Sequence, residues 1–252
     1  MTNAVLEWGV DGALAAVNRG DVILVIDVLR FTSAAITAIS KGFTVIPAKT
    51  ESDAYSLAKQ FNVRFDRKGL AALSPESFIN ENPSFIVLTS PHGATLSCTV
   101  ADAENAFLAS FLNATAAAQK ALGAAKRTGK NISIVASGEI GAERRGIMPD
   151  FENKIDLDNE IFCFEDYACA GYIGTLLQIK KSDELLNAGN VFALYKPTLS
   201  DALLQCASGK YLVDNGMERD VRFCSQLNVF SVVPAIHKEK NGVILRRDNI
   251  GE

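Results

Sequence analysis

The sequence is short of the residues that build metal cages, covalent staples and membrane spans. It has two histidines in 252 residues, too few for a dedicated zinc site. Its cysteines, Cys98, Cys163, Cys169, Cys206 and Cys224, are odd in number and lie mostly among apolar neighbours. They read as buried thiols in a reducing compartment, not as a disulfide framework. No charge-free apolar run reaches the roughly 18 residues of a membrane span. Glu7, Trp8, Gly9 and Asp11 interrupt the stretch where a signal peptide needs an unbroken apolar core, so a cytoplasmic location is expected. There is no basic excess either. Lys and Arg number 25 against 29 Asp and Glu, a net charge of −4, which gives no electrostatic case for nucleic acid or an anionic membrane. A local basic pocket can still take a small anion. Several signature loops are missing: no cysteine has an arginine six residues later, and there is no G-x-x-x-x-G-K-[ST], H-E-x-x-H or G-x-S-x-G. Gly138, Gly141 and Gly146 do not form a dinucleotide fingerprint.

What is present is an apolar chain, 48% by composition, long enough to bury about 70% of its extended surface without staples. Val22 to Asp27 (VILVID) is a nearly continuous apolar run, the form of a strand covered on both faces. A helix fits Thr32 to Lys41, stopped by Gly42, and Phe43 to Pro47 reads as the next strand. Thr50 with Asp53 has the form of an N-cap for a helix reaching about Gln60. Residues 62–82 lack a period and suit a functional loop. Then come a strand at 84–89, a Ser90-Pro91-His92-Gly93 turn and a helix near 94–103. A strand at 106–112 leads to a helix capped by Asn113 and ended by Gly129, and a strand at 132–136 follows. Later helices are expected after Asp166 and near 199–207 and 208–215, with a last strand around 228–233.

This alternation predicts an α/β architecture, a predominantly parallel or mixed sheet with flanking helices. Ligands of such sheets sit beyond the carboxyl ends of the strands, where Asp27, Thr89 and Ser137 are expected to share a rim. From Glu139 to Asp166 the composition turns acidic, nine carboxylates against Arg144, Arg145 and Lys154, and reads mainly as a solvated face. A division into halves 1–150 and 151–252, packed together, is expected near 145–160.

Three places carry chemistry. Asp27-Val28-Leu29-Arg30 puts a carboxylate at a strand end, able to hold a metal or water, and an arginine able to grip phosphate bidentately. The plain alternative is an Asp–Arg pair that closes the turn. An aspartyl-phosphate nucleophile of the haloacid-dehalogenase type is disfavoured, because Leu29 stands where the second aspartate belongs. Thr89, Ser90, His92 and Gly93, between a strand and a helix, offer hydroxyls and N–H groups to an anion. Glu165-Asp166 precedes an apolar-faced helix and can coordinate a hard cation through oxygen; plain capping by Asp166 is the alternative.

Together these stretches resemble the 2-phosphosulfolactate phosphatases, the ComB family. The resemblance runs from about Val22 to Pro234 and rests on VIDVLRFTSA at 25–34, SPESF at 74–78, FLNATA at 111–116, FEDYACAG at 164–171 and GMERDVRFCSQLN at 216–228. It implies a layered ComB-like fold and a Mg²⁺-dependent hydrolase. Such an enzyme releases inorganic phosphate from 2-phosphosulfolactate or a related phosphorylated 2-hydroxy acid, a step of coenzyme M biosynthesis in organisms that make that cofactor. By this resemblance Asp27, Arg30, Glu165 and Asp166 are the catalytic candidates. Asp27, Glu165 and Asp166 are the metal ligands. Arg67, Lys68, Ser74, Thr89, Ser90, His92, Gly93 and Asn113 are the substrate-binding candidates, and Asp220 and Cys224 fall in the C-terminal motif. The expected partner is a small anionic phosphorylated metabolite, with room left for a homodimer. Attack by water and attack by Asp27 both stay open.

The chain also departs from the family pattern. It reads Ala72-Leu73-Ser74-Pro75 where the family usually has G-N-S-P, and Pro91-His92-Gly93-Ala94-Thr95 where it has T-N-G-T-R. Phe65-Asp66-Arg67-Lys68 lies where a G-E element is usual. The alternative reading is therefore a catalytically inactive ComB-like protein that binds a small anion.

Overall fold

The computed structural model describes residues 2–63, 65, 70–140 and 160–248. Its centre is β2 (Val22–Ile26), every residue of which is buried. Val22, Leu24 and Ile26 point into one core with Phe107, Ile132 and Ile134. Ile23 and Val25 point into another with Phe31, Ala34 and Ile36. Burial on both faces is why this strand is apolar at each position and does not alternate.

The strands β1 (Asn3–Trp8), β2, β3 (Thr44–Ala48), β4 (Phe85–Thr89), β5 (Ala106–Ala109), β6 (Ile132–Ala136), β9 (Lys180–Lys181), β10 (Pro234–Glu239) and β11 (Gly242–Arg247) form one nine-stranded sheet. Its order is β4-β3-β11-β10-β5-β2-β6-β1-β9. β9, β1, β6, β2 and β5 are parallel, as are β3 and β4. The β10–β11 hairpin separates the two groups by antiparallel pairings. A two-stranded ribbon, β7 (Glu139–Ile140) with β8 (Glu160–Ile161), stands outside the sheet.

Helices α1 (Gly9–Arg19), α2 (Phe31–Ser40) and α4 (Gly93–Thr99) cover one face of the sheet. Helices α5 (Ala114–Thr128), α6 (Phe164–Leu176) and α7 (Asp183–Tyr195) cover the other, joined by α8 (Leu199–Gln205), α9 (Ala207–Asp214) and α10 (Glu218–Cys224). Helix α3 (Glu51–Phe61) closes a smaller cluster over Ile46, Val87 and Ile244. The layered mixed sheet with flanking helices is the architecture expected from the alternation. The local signals hold as well: Thr50 accepts from the Asp53 N–H at 3.1 Å, and Gly42 and Gly129 stand just past their helices at φ 94° and 71°. All five cysteines are free thiols. No described helix is long and apolar enough to cross a membrane.

Some boundaries differ from expectation. The last strand is not 228–233 but the hairpin that follows it. Residues 228–233 run as irregular chain that buries Val232, held by Asn228 N–H to Phe111 O and Phe230 N–H to Leu112 O, both 2.9 Å. The hairpin's own mark was the Asn241-Gly242 dipeptide at its turn. The strand expected to reach 112 stops at Ala109, where Ser110 caps a short turn over Phe111–Asn113. The helix after Gly93 ends at Thr99.

Candidate active site

β2 and β6 end side by side, with Ile26 opposite Ala136. The residues that follow, Asp27 and Ser137, therefore share one rim, and the Ser137 N–H donates to Ile26 O at 2.9 Å. β4 runs opposite to β2 in the sheet order, five strand steps away. The Ser90–Gly93 turn that follows β4 nevertheless reaches Asp27.

Asp27 is buried and held on both oxygens. Oδ1 accepts from the Phe31 N–H at 3.2 Å. Oδ2 accepts from the Gly93 N–H at 2.8 Å and from the Ser90 hydroxyl at 3.3 Å. The first turns of α2 and α4 thus meet on one carboxylate, the electrostatically favoured place for it. Gly93 has to be glycine: a Cβ there would lie 2.5 Å from both Asp27 Oδ2 and Phe31 Cδ1.

Asp166, in the first turn of α6, is 2% exposed. It does not cap its own helix, whose N-cap is Cys163. Its Oδ1 instead accepts from the Val28 N–H at 2.8 Å, and Oδ2 accepts from the Ser137 hydroxyl at 2.9 Å and the Gly138 N–H at 3.3 Å. Glu165 is equally buried and faces Glu139, Cys206 and Ser208. The Ser208 hydroxyl donates to Glu139 at 3.1 Å.

The three carboxylates Asp27, Glu165 and Asp166 share a raised pKa. Burial raises the pKa of each above the ordinary carboxylate value. Asp166 stands well above it, first through burial and then through the charges of Glu165 and Asp27. His92 is close enough to Asp27 for its charge to oppose the shift. Among the described residues no lysine or arginine is hydrogen-bonded to any of the three. The donors are all oxygen, as a hard cation requires. Among the described residues, however, no three or more His, Cys, Asp or Glu side chains close on one point as a ready-made metal cage.

Arg30 lies at the same turn but does not pair with Asp27. Its guanidinium donates to Asp220 of α10, and both side chains are buried. The other oxygen of Asp220 accepts from the Ser74 hydroxyl at 2.7 Å. The Leu29–Arg30 peptide bond is cis. Cys224 is buried beside this group, and burial first of all pushes its thiol up to about 12.

The other sequence candidates fall into four groups. Ser90 and Gly93 reach Asp27 directly, and the His92 N–H donates to Ser90 Oγ at 3.3 Å. Thr89 ends β4 with a buried hydroxyl that has no partner among the described residues. Asn113 is turned to the scaffold: it accepts from the Ser110 N–H at 3.0 Å and donates to Leu108 O and Val232 O. It occupies the N-cap position of α5 without a side-chain cap bond. Arg67 and Lys68 lie outside the described residues.

Sequence reasoning did not foresee the Asp220–Arg30 pair or the part played by Ser137, Ser208 and Glu139. Asp220 and Arg30 are 190 positions apart, so no local pattern joins them. Ser137 was marked by its place just past a strand end.

Comparison with known proteins gives the family. Three curated relatives each bear the name "Probable 2-phosphosulfolactate phosphatase". The chain is 28% identical to the one from Symbiobacterium thermophilum, over 85% of this chain and 91% of the relative. It is 25% identical to that of Pseudothermotoga lettingae, over 89% and 93%, and 27% identical to that of Carboxydothermus hydrogenoformans, over 90% and 91%. The family model described as 2-phosphosulpholactate phosphatase matches residues 12–239, a span that contains every carboxylate of the rim together with Arg30 and Asp220. The chain therefore belongs to the 2-phosphosulpholactate phosphatase family.

Proposed function

We propose that the protein hydrolyses a phosphomonoester of a small anionic 2-hydroxy acid, 2-phosphosulfolactate or a close relative, with Mg²⁺ as cofactor. The observation that carries this reading is the cluster of Asp27, Glu165 and Asp166, buried near Arg30 and hydrogen-bonded to no lysine or arginine among the described residues. The donor set suits Mg²⁺, which binds through one or two carboxylates and completes its shell with water and substrate phosphate oxygens. A closed protein cage is not required. Asp27, Glu165 and Asp166 would hold the ion, and when bound it supplies Lewis-acid polarisation of a phosphoryl oxygen.

The chain's own residues do the rest. Arg30 presents N–H donors to the equatorial phosphoryl oxygens, where charge must be stabilised during transfer. A water oriented by the carboxylates attacks phosphorus. A P–O bond to that water forms as a rim carboxylate takes its proton, the P–O bond to the substrate's C2 oxygen breaks, and the departing alkoxide takes up that proton, directly or through solvent. Water is the better nucleophile here because the oxygens of Asp27 already accept three hydrogen bonds, which lowers their nucleophilicity. Arg67 and Lys68 are the further cations that the sequence offers to a polyanionic substrate.

The test is phosphate release from a panel of phosphorylated sulfo- and carboxy-hydroxy acids, with and without Mg²⁺. Metal-dependent release from at least one member supports the reading. The second reading is a non-catalytic protein that binds its anion elsewhere on the rim; loss of catalysis is favoured by the 90–95 turn, which carries no lysine or arginine and whose Gly93 N–H is already given to Asp27. It predicts saturable binding with no phosphate released from any member.

A further inference from the structure

We propose that Asp220 is a positioning residue that aims the Arg30 guanidinium at the substrate phosphate and ties this aim to the Ser74 segment. The proposal rests on the phosphatase reading of the rim and adds to it a residue from a different part of the chain. Asp220 occupies the first turn of α10, where a carboxylate is favoured by the helix dipole. Both of its oxygens are taken by groups from distant segments. One accepts from Arg30 Nη1 and the other from the Ser74 hydroxyl at 2.7 Å.

Arg30 and Asp220 are 4% and 3% exposed. A guanidinium at that depth has few ways to be held, and its planar fork loses little freedom when one side is fixed. With Nη1 held by Asp220, the orientation of the guanidinium plane is set before a ligand arrives, which is the condition for electrostatic stabilisation without reorganisation. Ser74 fixes the carboxylate in turn. The same two segments also meet through Arg219 and Glu76 at 3.4 Å, but that pair is exposed and contributes little. The buried Asp220 contact is the one that couples them.

The test is a double-mutant cycle read by binding of inorganic phosphate to the full-length protein, with cooperative thermal melting as the fold control. Arg30→Gln and Asp220→Asn are each expected to weaken phosphate binding on the order of 10–100-fold, the worth of a charge-assisted hydrogen bond. Because Asp220 acts through Arg30, Asp220→Asn added to Arg30→Gln is expected to cost nothing more. Ser74→Ala leaves the ion pair in place and is expected to weaken binding about fivefold, and Asp220→Glu to recover part of the loss. Ser74→Ala and Asp220→Glu carry the test if Asp220→Asn does not fold.

Losses that multiply in the double variant would overturn the proposal. So would normal phosphate binding in folded Asp220→Asn, or in Ser74→Ala together with Asp220→Glu, or a wild-type protein that binds no phosphate at all. The cycle is separate from turnover: a wild type that binds phosphate through Arg30 and Asp220 but hydrolyses no member of the substrate panel rejects the phosphatase reading and leaves the positioning role standing.

Discussion

Two buried carboxylates near the same rim are held in opposite ways. Asp220 faces a guanidinium and a hydroxyl, so its charge is neutralised within the protein. Asp166 faces two backbone N–H groups and a hydroxyl, with Glu165 and Asp27 adding like charge. Hydrogen bonds satisfy its lone pairs without cancelling its charge. The first arrangement is complete without a ligand. The second leaves like charges together, and backbone donors fix the side chain where it stands.

The widest separation between the two comes from neutralising each in turn. Asp166→Asn removes charge from a cluster that has too much of it. Phosphate release is expected to fall on the order of 10²–10³-fold or more, while the melting temperature of the metal-free protein holds or rises. Asp220→Asn removes one half of a buried ion pair, and the expected loss is about 3–5 kcal/mol of stability, seen as a lower denaturation midpoint. If Asp166→Asn is the more destabilising of the two, the contrast fails.

A smaller effect tests how the uncompensated side is held. Gly93→Ala drives a methyl into Asp27 and Phe31, and overpacking of this kind costs about 1–3 kcal/mol. Activity should fall with it, because the Gly93 N–H that anchors Asp27 must move. Normal activity in a folded Gly93→Ala protein would show that this anchor is dispensable.

The smallest expected signal is a slope. Asp27, Glu165 and Asp166 have pKa values raised in the fold, so the folded chain keeps protons that the unfolded chain has released. Their contribution to stability is complete below the ordinary carboxylate pKa of about 4 and is lost as the pH climbs through the raised values. Denaturation of the metal-free protein should therefore become easier from mild acid toward neutrality, and Asp166→Asn should flatten that trend. A wild-type stability that rises over this window would contradict the assignment.

Much of this was legible in the sequence because the signals are local. VILVID announces a strand buried on both faces, Thr50 and Asp53 announce a cap, and Gly42 and Gly129 announce helix ends. The position of Asp27 just past a strand end placed it on the rim before any coordinates. The Glu165-Asp166 pair was visible as chemistry, but not the direction in which Asp166 turns. Its partners Val28 and Ser137 come from two other elements, and nothing in residues 163–170 encodes them. Asn113 shows the opposite case: a polar residue after a strand that fits a ligand role by pattern, yet spends its side chain binding the 228–233 segment to the core. The Asp220–Arg30 pair was hidden for the same reason as the Asp166 contacts. Long-range pairing is a property of the packed layers, and single-residue patterns do not carry it.

The central claim is that the rim carboxylates form a cation site serving phosphate transfer. Its most direct test is phosphate release by the wild-type protein and by folded Asp27→Asn and Asp166→Asn, each with Mg²⁺ and after chelation. Release that requires the metal in the wild type and is nearly abolished in both variants is the predicted result. Turnover that survives chelation, or that persists at wild-type rates in either variant, would contradict it.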